Sequence, residues 1–77
     1  MTVRTPSGKA FNCDMVSEIP SPPRLYLHLT NTTVNEVMLA VSGEDGLPII
    51  GYEDFRYLQS VSTGPFGVNL ALKKTPD

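Results

Sequence analysis

Arg24-Leu25-Tyr26-Leu27-His28-Leu29-Thr30 sets three leucines at every second position, with Tyr26 and His28 between them. A period of two marks an extended strand with one face in a core and the other turned outward. Val68, Leu70 and Leu72 repeat the alternation near the C-terminus. Two strands of this kind point to a small strand-rich domain.

On the N-terminal side, Thr2 to Thr5 is β-prone and Pro6-Ser7-Gly8-Lys9 is a turn. Proline presets φ there and glycine accepts a positive one. In Ala10 to Val16, Phe11, Cys13 and Met15 fall on one face and Asn12 and Asp14 on the other. The two segments therefore read as an opening hairpin. Ser17 to Pro23 holds three prolines, which cannot donate to a ladder, and reads as a stiff connector.

Beyond Thr30 the period changes. Val34, Val37, Met38 and Val41 lie at i, i+3, i+4 and i+7, one face of a helix. Thr33-x-x-Glu36 is a capping box, and Gly43 stands where a helix end favours positive φ. The β-branched content of this stretch argues for a strand instead; the two end signals decide for a helix at about residues 33–42. Glu44-Asp45-Gly46 is a polar turn, and Pro48 makes Leu47 to Tyr52 an edge strand or an irregular segment. Phe55 to Ser62 reads as a strand with Tyr57, Gln59 and Val61 on one side and Leu58 on the other. Thr63-Gly64-Pro65-Phe66-Gly67 is a hairpin loop, Val68 to Lys73 the returning strand, and Lys74 to Asp77 a frayed tail. The expected fold is α+β, mostly β, in the order β-β-β-α-β-β-β. It forms one domain over residues 1–77, as a small antiparallel sheet or a half-open barrel.

A chain of 77 residues buries roughly 60% of the surface its unfolded form exposes, so its stability margin is thin. Cys13 is the only cysteine and His28 the only histidine, which excludes an intrachain disulfide and a four-ligand zinc site. The remaining sources of stability are a well-packed core or a face buried against another subunit, and a homo-oligomer is the expectation. The net charge is −2, and no basic run exceeds two residues. Nucleic-acid binding and polybasic attachment to a membrane surface are both disfavoured on that ground. No apolar run approaches the 18 residues of a transmembrane span, and Met1 to Lys9 has no apolar signal core. A lone thiol without a signal fits a reducing interior. Asn31-Thr32-Thr33 matches a glycosylation sequon, which without secretion is chance.

Candidate chemistry is sparse. His28 faces away from the leucines, but no serine or cysteine motif lies beside it to be activated, so no catalytic residue is assigned. Cys13, between Phe11 and Met15, reads as a small core hydrophobe. Glu44-Asp45 and Glu53-Asp54 lack the spacing of a calcium loop, and no metal or cofactor is expected. Gly64-Pro65-Phe66-Gly67 lacks the phosphate-loop spacing and a following helix, so it reads as a tip that displays Phe66. Tyr26, His28, Tyr52, Phe55, Arg56, Tyr57 and Phe66 are the candidate interface residues, with aromatic and arginine side chains the types enriched at binding hot spots.

Arg4-Thr5-Pro6-Ser7-Gly8-Lys9, Pro20-Ser21-Pro22-Pro23-Arg24-Leu25-Tyr26-Leu27, Gly51-Tyr52-x-x-Phe55-x-x-Leu58-x-Ser60-Val61 and Val68-x-Leu70-x-Leu72-Lys73 together span nearly the whole chain. In these stretches it resembles short proteins encoded in phages and prophages of Gram-positive, often gut, bacteria. The resemblance implies an opening strand–turn–strand, a middle helix and a closing hairpin, and an origin in a phage or mobile element. It carries no catalytic signature and no functional residue. The resulting expectation is a small non-enzymatic phage protein that self-associates and acts by binding, as a head, neck or fibre accessory of the virion. It would reside in the virion or the cytoplasm of the bacterial host and meet a virion or host protein. The alternative is an antagonist of a bacterial defence system that inhibits an immune protein or sequesters a nucleotide signal; the latter would need Arg24, Arg56 or Lys9 converging on phosphate.

Overall fold

The computed structural model describes residues 1–41 and 46–76. Among the described residues five strands, β1 (Thr2–Arg4), β2 (Ala10–Pro20), β3 (Pro23–Thr30), β4 (Tyr57–Gly64) and β5 (Gly67–Lys73), and one helix, α1 (Val34–Ala40), carry the fold. The strands form an open antiparallel sheet in the order β1-β2-β3-β5-β4. The chain is mostly β with one short helix inserted after the third strand, as the periodicities indicate.

The two alternating stretches become direct neighbours at the centre of the sheet. Leu25 pairs with Leu72, Leu27 with Leu70 and Leu29 with Val68. All six side chains are at most 2% exposed. Each large aliphatic buried this way contributes about 1.5–3 kcal/mol relative to an exposed one. Val3, Phe11 and Cys13 extend this face across β1 and β2, and Val37 of α1 together with Leu47, Ile49 and Phe55 covers it.

Two β-bulges decide which side chains join that core. β2 and β3 lose register between Cys13 and Met15, so Asp14 is the extra residue. β4 and β5 do so between Leu58 and Ser60, with Gln59 as the extra one. A bulge reverses the alternation of the strand beyond it and bends the sheet. Met15 therefore leaves the face of Phe11 and Cys13, pairs with His28 and is 44% exposed. Leu58 and Val61 pack together against the core, in place of the grouping of Tyr57, Gln59 and Val61 that strict alternation gives.

The connectors differ from the sequence expectation in one place. Ser17 to Pro23 is no connector: β2 continues to Pro20, β3 begins at Pro23, and only Ser21-Pro22 turns between them, through a cis peptide. Prolines at a strand's end leave the ladder's inner hydrogen bonds intact. The opening turn closes with Thr5, whose hydroxyl oxygen accepts from the Lys9 amide at 3.2 Å and shares a hydrogen bond with Ser7 at 2.8 Å.

Helix α1 starts where its cap predicts. The Thr33 hydroxyl oxygen accepts from the Glu36 amide at 3.2 Å, while the Glu36 carboxylate accepts from the Thr32 hydroxyl at 2.9 Å instead of returning to Thr33. Val37 is fully buried, whereas Met38, on the same predicted face, is 42% exposed. Gly43 and the Glu44-Asp45 pair lie outside the described residues.

Leu47 to Tyr52 takes the irregular form that Pro48 allows, with a single bridge between Ile49 and Tyr52. The Leu47 amide donates to the Arg56 carbonyl at 2.7 Å, which closes residues 47–56 into a compact loop. At its far end the Ile50 amide donates to the Arg4 carbonyl of β1 at 3.1 Å. The loop thus runs from the start of β4, at one margin of the curled sheet, to β1 at the other. Gly46, at φ 73°, precedes it where any side chain would collide with the Arg56 carbonyl.

Candidate binding surface

The second face of the sheet presents short and polar side chains in cross-strand rows. One row is Ser17, Tyr26, Ala71 and Ser60; the next is Met15, His28, Asn69 and Ser62. Ala71 is small and stands between Tyr26 and Ser60, so its row dips. The result is a hollow of about 160 Å³ walled by Met15, Tyr26, Ser60, Ser62 and Asn69. Ala71 on its floor is only 3% exposed, while Met15 and Tyr26 at its rim are 44% and 41% exposed.

Bulging of β2 lets Asp14 reach across this face. Its carboxylate accepts from Nδ1 of His28 at 2.6 Å, and Nε2 of the same ring donates to the Pro65 carbonyl at 2.9 Å. Carboxylate and carbonyl oxygens can only accept, so the ring satisfies both when each nitrogen carries a proton. The hydrogen bond to Asp14 raises the His28 pKa above its ordinary 6.5. Desolvation opposes the rise, and the Asp14 charge and the Pro65 carbonyl add to it. An Asp–His pair is also two-thirds of a hydrolytic triad. Here, however, the nitrogen that would take a proton from a nucleophile is committed to Pro65.

Pro65 and Phe66 form the β4–β5 turn. Phe66 sits at φ 61°, a left-handed conformation at a turn position that normally takes glycine, and is 92% exposed. Its carbonyl accepts from the Asn31 amide at 3.0 Å. Two successive carbonyls of the tip are thus held, one by His28 and one by Asn31, while the phenyl ring projects into solvent. Gly67 behind it admits no side chain, because a Cβ there would lie 1.9 Å from the Leu29 carbonyl oxygen.

The seven candidate interface residues divide into two groups. Tyr26 and His28 lie on the open face, and Phe66 stands at the tip to which His28 is bonded. The others are elsewhere. Phe55 is a core residue, 4% exposed, with the Lys74 ammonium 5.0 Å from its ring centroid, so it is not available to a partner. Tyr52 is half-buried in the loop against the core, Arg56 gives its carbonyl to Leu47, and Tyr57 opens β4 opposite Lys73, at the end of the sheet far from the tip. Asp14 and Met15, both part of the surface, are not among those seven: alternation sends Met15 to the core face once the bulge is unseen, and nothing local in sequence brings Asp14, correctly on the outer face, to His28.

Among the described residues no three histidine, cysteine or acidic side chains gather as a metal site. No described helix is long and apolar enough to cross a membrane. Comparison with protein-family models, with curated proteins and with solved structures gives no match.

Proposed function

We propose that this protein is a non-enzymatic binding component that works as a homo-oligomer, through the open sheet face and the β4–β5 tip. The observation that carries the reading is the pairing of an uncovered face rimmed by Met15 and Tyr26 with a tip that holds Phe66 outward. Exposed apolar side chains beside a hollow mark interaction sites. The reading assigns no reaction, because both nitrogens of the only histidine are engaged and the only cysteine is buried. The resemblance to phage-encoded proteins supports an accessory role in a virion as the setting. Native mass spectrometry tests the proposal: a single oligomer that retains no small molecule is expected, and a monomer at every concentration overturns it. The virion setting is tested separately, by whether the protein co-purifies with particles.

A further inference from the structure

We infer that Phe66 of one copy seats in the open-face hollow of a second copy, and that the exchange is reciprocal. The inference rests on the self-association proposed above and names its contact. Four observations lead to it. Phe66 holds a conformation that costs a bulky residue free energy, and unfavourable backbone of this kind persists where it serves recognition. The tip is fixed at Pro65 and Phe66 by His28 and Asn31, so little ordering is left to lose on binding. A hollow of about 160 Å³ matches the roughly 150 Å³ that accommodates a benzene ring in a protein interior. Finally, between knob and hollow the Asp14 carboxylate meets a His28 ring whose two nitrogens both face acceptors, a geometry that suits the protonated ring. In that form the pair lets two such faces approach without leaving a charge unmatched.

Reciprocity follows from placement. Knob and hollow lie on the same hairpin, with Ala71 five residues from Phe66 along β5, roughly 16 Å of strand. A two-fold axis midway between them brings each ring to the other copy's Ala71, which is the self-complementary arrangement of a closed dimer. Ala71 is the residue that makes room. A larger side chain at that position would fill the hollow.

The test compares three proteins by sedimentation equilibrium over a wide concentration range. The unaltered chain is expected to be a dimer. Phe66→Gly relieves the left-handed backbone and so keeps the fold of the monomer, yet is expected to weaken dimerisation roughly thirtyfold or more, the effect of losing an aromatic anchor. Its fold is not in question, so the loss cannot be blamed on misfolding. Ala71→Leu is expected to weaken the dimer as well. Should that variant not fold, isotope-filtered NOEs in a mixed labelled and unlabelled sample decide, through cross-peaks between Phe66 ring protons and the Ala71 methyl of the other copy. A dimer that Phe66→Gly leaves intact, or one without those cross-peaks, overturns this contact while the self-association reading stands. A chain that is monomeric throughout overturns both.

Discussion

His28 illustrates how little of a side chain's role lies in its own identity. On the leucine strand it is an outward histidine with nothing beside it in sequence. Asp14 and Pro65, its two partners, lie 14 and 37 residues away. Pro65 is brought by a hairpin whose turn chemistry is plain in Gly64-Pro65-Phe66-Gly67, whereas Asp14 is brought by a bulge that no pattern announces. The raised pKa gives the pair a pH signature. The folded state binds the proton more tightly than the unfolded chain, so the stabilisation is fully present below the unfolded pKa of about 6.5 and is lost as pH rises through the higher folded value. Urea midpoints across that range are expected to fall with rising pH. In His28→Gln this component of the fall should vanish; a midpoint profile of unchanged shape in the variant would refute the assignment.

Among the elements, strands β3 and β5 and helix α1 were legible, because a period of two and a period of 3.6 with a cap are local signals that tertiary packing reinforces. Thr33→Ala is expected to destabilise the fold by about 1 kcal/mol, the usual cost of an N-cap oxygen, and chemical denaturation measures it. The Leu29–Gly67 approach belongs to the same scale. Gly67→Ala forces a methyl group against a main-chain oxygen and should cost about 3 kcal/mol or more. Circular dichroism melts would show it, and a loss well under that figure would mean that β3 and β5 can separate locally. Less was legible wherever pairing shifts by one residue. Met15 changes face at the first bulge and Val61 joins the side of Leu58 at the second, and the three prolines bracket a tight turn instead of spacing two strands apart. In each case the deciding fact is which residue of a neighbouring strand stands opposite, and a single chain read in order does not contain it.

For the whole molecule, the stability expected of 77 residues is roughly 4–12 kcal/mol, and it rests on one thin core completed by non-strand residues. Leu47, Ile49 and Phe55 come from the loop, and each is at most 4% exposed. Their apolar character was visible in sequence; their service as the core's second layer was not, since Pro48 and the short spacing hide any period. Cys13 reports on this core. It is 2% exposed, with its thiol donating to the Met15 carbonyl at 3.1 Å. An aromatic disulfide reagent is expected to leave it unmodified under native conditions and to react at a rate that tracks global opening when urea is added. Rapid native labelling would show that the layer above Cys13 opens on its own.

The reach of Ile50 to Arg4 has a bearing on how the chain must assemble. The outer rim of β1 is finished by Ile50, well along the chain, and the inner flank of the leucine strand is filled by β5, Gly67–Lys73. In a nascent polypeptide β1, β2 and β3 can pair with one another, but the inner edge of β3 and its leucine face stay open until β5 has been made. Folding then comes late and in one step, and a truncation of even the closing strand should leave a product that clumps instead of a smaller working unit.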